Sequence, residues 1–318
     1  MARICVTGGG GFIGSHLVGY LKELGHWVRA VDIKGPEWGW PGKEPDEFAL
    51  LDLRRWDNCI LATRAVDQVY SLAATMGGIG FIHAYHAKIA FENSVISNHT
   101  LEASRINDVG RFLFSSSACI YPLYLQESPD VTPLKESDAY PAMPEDAYGW
   151  EKLVTERTCQ HYYEDYGMET RVARFHNIMG PFGTYDGGKE KAPAALCRKV
   201  AVAKKTGNPE VEIWGDGQQT RSFCYVDDCV FLLHRLMESG CREPINIGTD
   251  RLVSIDELAD IVAGAAGIDI VKKHVPGTQG VRGRNADLTM MKQWLGEPRI
   301  SLEEAIARIY PWIESQVN

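Results

Sequence analysis

Tyr148 and Lys152 stand four residues apart in the stretch YGWEK, a spacing that puts both side chains on one face of a helix. A lysine ammonium near a phenol favours the phenolate, which can take the proton from an alcohol while hydride leaves its carbon. Alone, such a pair is common, and a solvated lysine beside a half-buried tyrosine is its ordinary meaning. The setting makes it informative. Upstream, Ser115, Ser116 and Ser117 end an apolar run, and a serine there can hydrogen-bond the same alcohol. At the start of the chain, TGGGGFIG places Gly8, Gly11 and Gly14 at three-residue intervals between a short β-branched run and an amphipathic stretch. Glycines at this spacing allow a tight turn whose backbone approaches a pyrophosphate, and the following helix turns its free N–H groups and positive dipole end towards it. Asp32 closes the next strand-like run, about 20 residues on, where a carboxylate accepts hydrogen bonds from a ribose diol. An acid there repels a 2′-phosphate, so the pattern favours NAD over NADP, a preference slightly weakened by Lys34. Asp52 follows a third strand-like run, where an adenine amine can be held; a solvated surface acid is the plain alternative.

The cationic residues fall into a second group. Arg221, Arg282 and Arg284 offer forked donors that suit phosphate oxygens better than a point charge does. Arg282-Gly283-Arg284 in a polar loop also fits a solvated surface pair. Cys119 follows an apolar strand, where a cysteine is usually a small core residue, and Lys191 lies in a glycine-rich, charged segment where lysines are usually solvated. The eight cysteines are scattered with no CxxC pair and no histidine at metal-ligand spacing, so free thiols in a reducing cytoplasm are expected, and no metal site.

These residues need elements to position them. Strand-like runs at Arg3–Thr7, His26–Asp32, Glu47–Leu53, Gln68–Ala73, Arg111–Ser117 and Glu169–Phe175 alternate with helix-like stretches, among them Phe12–Leu24, Ala84–Asn107 and Ala147–Tyr166. That alternation predicts βαβ units and a Rossmann-type, doubly wound parallel sheet of the α/β class, buried on both faces. After Phe175 the rhythm breaks into glycine-rich turns. A second, smaller mixed α/β domain for substrate is therefore expected over 176–318, following a dinucleotide domain over 1–175 onto which 221–248 packs back. Ser301, three residues before Glu304, marks the cap of a last helix. The chain has 318 residues, 45% of them hydrophobic, and a net charge of −9, which supports a sizeable core and gives no sign of a nucleic-acid partner. Neither a signal peptide nor an apolar stretch of membrane-spanning length is apparent, so a cytoplasmic protein is expected.

Taken together, the glycine motif, the triple-serine strand end, YGWEK, RFHNIMGP (174–181) and RSFCYVDD (221–228) resemble the extended short-chain dehydrogenase/reductase superfamily over nearly the whole chain. Its members bind NAD in the N-terminal domain and a nucleotide-diphosphate sugar in the smaller one. The resemblance implies cofactor contacts from Phe12, Ile13 and Leu72 as well as from the glycines, Asp32, Asp52, Tyr148 and Lys152. It also implies substrate contacts from Gly77, Ser117 and Asn177, and a homodimer formed through paired helices. A narrower resemblance, to the GDP-mannose 3,5-epimerases, rests on AATMGGIGFI (73–82), SSSACIYP (115–122), GGKEKAPAALCRK (187–199), WGDGQQTRSF (214–223) and GVRGRN (280–285). It implies Cys119 and Lys191 as an acid/base pair, Ser117, Tyr148 and Lys152 as the oxidation site, and Arg282 and, less directly, Arg284 against the diphosphate of a GDP-sugar. Where the dehydratases of the superfamily carry an Asp-Glu pair, this chain has Ala118 and Cys119, so the acid needed to eliminate water is missing. The chemistry is consistent: a C4 ketone acidifies the C3 and C5 hydrogens, and inversion needs two groups flanking the ring. Two alternatives remain at this level, a nucleotide-sugar 4-epimerase and a non-catalytic nucleotide-sugar-binding protein. The segment HAYHAKIAFEN (83–93) suggests no role.

Overall fold

A computed structural model describes residues 1–277 and 280–317. The first half runs β1 (Arg3–Thr7), α1 (Phe12–Glu23), β2 (Trp27–Asp32), β3 (Glu47–Leu50), α2 (Trp56–Thr63), β4 (Gln68–Ser71), α3 (Ile79–Ala84), α4 (His86–Ile106), β5 (Arg111–Ser117), α5 (Ala147–Tyr166) and β6 (Glu169–Phe175). The second half runs β7 (Ile178–Met179), α6 (Ala192–Thr206), β8 (Glu210–Trp214), β9 (Thr220–Arg221), β10 (Cys224–Tyr225), α7 (Val226–Glu238), β11 (Ile245–Ile247) and β12 (Val253–Ser254). It continues with α8 (Ile255–Ala266), β13 (Val271–Val275), β14 (Gly283–Arg284), α9 (Thr289–Trp294) and α10 (Leu302–Gln316).

Seven strands form one sheet in the order β11-β6-β5-β4-β1-β2-β3, every pair parallel. Side chains alternate between its faces. Ile4 and Val6 join Leu17 and Leu233 in one core, whereas Cys5, between them, joins Val69, Phe112 and Leu101 in another. Both faces are apolar because both are covered: α1 packs with α7, and α2 and α5 each pack with α4. This is the doubly wound α/β architecture that the strand-helix alternation predicts. In the second half, α6, α8 and α10 pack against one another, and the strands form small sheets, β10-β7, β12-β9-β14 and β13-β8. β11 returns to the large sheet beside β6, in register from Ile245 opposite Ala173 to Ile247 opposite Phe175.

Several boundaries differ from the sequence reading. The expected helix 84–107 breaks at Tyr85, whose φ/ψ of −134°/41° is not helical, so α3 and α4 are separate. The third strand stops at Leu50 and the fourth at Ser71, which leaves Asp52 and Leu72 in the loops beyond them. The segment carrying Arg284 is a buried strand rather than a polar loop, because β14 pairs with β9. Helix α6 was not foreseen: glycine-rich turns precede it, and its start is set by Pro193 in the first turn. The last helix is capped as expected, the Ser301 side chain accepting from the Glu304 N–H.

Candidate active site

The glycine turn closes over the C-terminal ends of β1 and β4. Gly8 has φ +69°, and a Cβ there would come 2.8 Å from Ala73 N. A Cβ on Gly14 would lie 2.0 Å from the Gly8 carbonyl oxygen, so helix and turn meet at a distance that only glycine allows. Gly11 caps α1 without a side chain, leaving the N–H groups of the first turn, at Phe12 and Ile13, turned outward. Asp32 faces this turn. Its Oδ2 accepts from the Gly10 N–H at 3.1 Å and its Oδ1 from the Ile33 N–H at 2.7 Å; burial raises its pKa while these N–H groups pull it back. A cradle that a side chain would fill, a helix N-terminus and a carboxylate fit a dinucleotide. Leu72 flanks the cradle beside Gly8. Asp52 is tied to Arg54 at 2.8 Å, which holds its pKa down.

Beyond the strand ends opens a cleft of about 510 Å³, within the range of roughly 300–1,000 Å³ usual for small-molecule sites. Ser117, Cys119, Gly77, Asn177, Lys191, Arg221 and Arg284 all line it. Ser117 ends β5 and caps a single 3-10 turn, its Oγ accepting from the Cys119 N–H at 3.2 Å, so sequence-adjacent geometry fixes the thiol relative to the hydroxyl. Tyr148 lies behind them, buried with Ile82 and Ile89, and the half-buried Cys119 packs against that cluster. Burial first, then Cys119 and Glu151, push its phenol well above the usual tyrosine range, while a hydrogen bond with Ser117 pulls it down. Lys152 is one helical turn on, its Nζ 4.6 Å above the Phe114 ring and 5.6 Å from the Tyr148 ring centre, with Glu151 at 3.7 Å. The helix holding both begins at Asp146, which accepts from the Gly149 N–H at 2.8 Å. Gly149 packs directly on the turn of Cys119, where a Cβ would lie 2.2 Å from the Cys119 carbonyl oxygen.

The opposite segments come from the second half of the chain. Lys191 precedes α6, and its loop touches the MGGIG loop, since a Cβ on Gly78 would come 3.0 Å from the Glu190 carbonyl oxygen. The side chain keeps exposed surface because it lines the cleft, yet the protein around it strips away enough water to lower its pKa; Cys119 acts in the opposite sense and Arg284 in the same sense. Asn177 turns the chain with φ 43°, a conformation asparagine tolerates, and donates to the Ser222 carbonyl at 3.0 Å. Arg221 and Arg284 are register partners on β9 and β14. Desolvation and Arg284 depress the Arg221 pKa to about 9, as expected for like charges side by side and short of water. Arg284 also brings Nη1 to 3.5 Å from the Cys119 sulfur. Arg282 is directed elsewhere: it makes a forked pair with Asp216 at 3.0 and 2.9 Å and does not line the cleft. Sequence reasoning passed over Gln126, Gln219 and Trp214. Trp214 and Gln219 line the cleft, and Gln219 Oε1 is buried with no partner among the described residues. The signal for both lay in WGDGQQTRSF, where only the arginine was weighed.

Among the described residues, His83, Glu145 and Asp146 bring ligand-type atoms within 4.8 Å of one another, with Asp146 already engaged in capping α5. Among the described residues no helix is long and apolar enough to cross a membrane.

Comparison with known proteins agrees with the architecture. GDP-mannose 3,5-epimerase 1 of Oryza sativa subsp. indica is 51% identical over 99% of this chain and 82% of its own length. GDP-mannose 3,5-epimerase of Arabidopsis thaliana is 49% identical over 99% and 83%. The crystal structure of UDP-glucose 4-epimerase from Thermotoga maritima, with UDP-glucose, superposes with a TM-score of 0.89 at 29% identity, covering 99% of this chain and 100% of that one. Residues 4–248 match the NAD dependent epimerase/dehydratase family. With a glycine cradle shaped for its dinucleotide and a cleft shaped for a second ligand, the chain belongs to that family.

Proposed function

We propose that this protein epimerises GDP-mannose at C3, C5 or both through a 4-keto sugar, giving GDP-L-galactose, GDP-L-gulose or both. The observation that carries the reading is that Cys119 and Lys191, from different halves of the chain, line one cleft together with Ser117 and the paired Arg221 and Arg284. The half-identical relatives named as GDP-mannose 3,5-epimerases support it.

The glycine cradle and Asp32 would hold NAD, which when bound would supply a reversible hydride acceptor for C4. The protein does the rest. Tyr148 removes the C4 hydroxyl proton while Ser117 holds that hydroxyl, and Lys152 favours the phenolate against the burial that opposes it. The ketone acidifies the neighbouring C–H bonds. Cys119 and Lys191 exchange protons there from separate walls of the cleft, and a lysine of lowered pKa is the readier proton donor. Arg221 and Arg284 take the diphosphate, whose charge relieves their mutual repulsion. Trp214, half exposed in the cleft, offers a flat face to the base.

The test is isotope exchange. In deuterated water, NMR of the recovered sugar should show label at C3, C5 or both; active protein that leaves both unlabelled refutes the reading, since a 4-epimerase takes up no carbon-bound deuterium. Cys119→Ala should abolish exchange at one or both carbons while NAD stays bound. We assign 1–175 with 221–248 to the dinucleotide and the remainder of 176–318 to the GDP-sugar. A homodimer through α4 and α5 is supported by the exposure of Phe91, Trp150 and Val154 on that packed pair, and a cytoplasmic location by eight free cysteines.

A further inference from the structure

We propose that Gln126 is the positioning residue that keeps Arg284 in the cleft and aimed at the sulfur of Cys119. The proposal rests on the reading of Cys119 as an acid/base group, and it assigns a part to a residue buried behind the cleft rather than lining it.

Gln126 is fully buried and lies seven residues after Cys119, in the loop that follows the catalytic turn. Its two oxygens reach a segment about 158 residues away, while its N–H groups hold to its own loop. Its Oε1 accepts from Arg284 Nε at 2.5 Å. Its Nε2 donates to the Tyr121 and Pro122 carbonyls at 3.1 and 3.2 Å, which fixes the amide and leaves its oxygen towards the arginine. Its own carbonyl accepts from the Arg282 and Gly283 N–H groups at 2.9 and 3.2 Å. One residue therefore fastens strand β14 and its arginine to the loop leaving Cys119.

Arg284 needs such a hold. Its register partner on β9 is another guanidinium, Arg221, and like charges set opposite each other on neighbouring strands repel. Left to itself, a side chain with four rotatable bonds would turn away from Arg221. Pinning Nε fixes the plane of the guanidinium, and the terminal nitrogens then face the cleft, one of them 3.5 Å from the Cys119 sulfur. An N–H aimed at sulfur stabilises negative charge that develops there as the proton leaves. Gln126 thus couples the anion-binding arginine to the residue that exchanges a proton with carbon, and the coupling is in place before substrate arrives.

Cys119 is partly exposed and the other seven cysteines are buried, so its alkylation by iodoacetamide can be followed by mass spectrometry on NAD-loaded protein without substrate. Gln126→Met removes the acceptor at similar volume, and Arg284→Met removes the donor. Each should slow Cys119 alkylation at neutral pH by about tenfold, the scale of a hydrogen bond to a charged group, and the double variant should be no slower than Arg284→Met alone. A general structural role for Gln126 would instead give additive losses. Wild-type alkylation in Gln126→Met beside slow alkylation in Arg284→Met overturns the positioning role while leaving the site reading intact; wild-type alkylation in both overturns the sulfur contact as well. If Gln126→Met does not fold, Arg284→Lys decides: it keeps the charge but has no Nε–H for Gln126, and it should react as slowly as Arg284→Met. A wild-type rate there also overturns the proposal.

Discussion

Gly149→Ala separates helix chemistry from site geometry, because the two pull in opposite directions. In a helix, alanine for glycine ordinarily stabilises, by about 1 kcal/mol in the interior and by less in the first turn, where Gly149 sits. Here the new methyl group would lie 2.2 Å from the Cys119 carbonyl oxygen and 2.8 Å from the Pro144 Cβ. Carbon and oxygen in contact keep about 3.3 Å between them, so α5 and the turn of Cys119 must part by about 1 Å. Overpacking of that kind costs about 1–3 kcal/mol, which cancels or reverses the helix gain. The larger effect is on function: the elements forced apart carry Tyr148 and Lys152 on one side and Ser117 and Cys119 on the other. A shift of about 1 Å at a reacting centre costs on the order of 100-fold in rate. Urea unfolding and turnover of GDP-mannose, with NAD content measured alongside, read both consequences. A variant that is more stable than wild type and turns over within about threefold of it would refute the reasoning, because it would mean that the contact yields without moving either element of the proposed site.

Other expectations follow from single features. His176 is fully buried and its pKa is lowered to about 3, chiefly by burial; a depressed histidine contributes stability that is full above the unfolded value near 6.5 and lost as pH falls towards 3. Urea midpoints between pH 7 and pH 4 should therefore fall less steeply in His176→Gln, and parallel slopes would show that another group governs the acid limb. Asp32→Ala should lower NAD affinity and raise NADP binding relative to it, as measured by fluorescence titration; unchanged discrimination would remove Asp32 from ribose recognition. Sedimentation velocity should show the proposed homodimer for wild type and a monomer for Phe91→Glu with Val154→Glu; a wild-type monomer, or a dimer that survives both changes, would refute the α4–α5 interface.

The large sheet was legible because its strands are short apolar runs buried on both faces, alternating with helical stretches, and the last helix announced itself through its Ser301 cap. β1, β5, β6 and α5 fall where the sequence puts them. What escaped reading depends on contacts between distant segments. β14 is two residues long and exists through pairing with β9, so nothing local announces it, and a short polar RGR stretch reads as loop. The same limit applies to the arginines: type and spacing cannot tell that Asp216 engages Arg282 while Arg284 turns inward. Gln126 is the extreme case, an ordinary glutamine in a loop whose meaning lies in a partner 158 residues away.

Strand β11 carries a consequence for the chain in pieces. It covers the outer edge of β6, yet it is made about seventy residues later, after β7, β8, β9 and β10. A fragment ending at Phe175 would contain every strand of the large sheet but this one, and would expose an unpaired, flat and apolar margin ready to recruit other copies. Dissecting the molecule at the apparent seam between its halves would therefore yield aggregates rather than an isolated dinucleotide module, and the newborn chain has a similar exposure to survive until its later segment arrives.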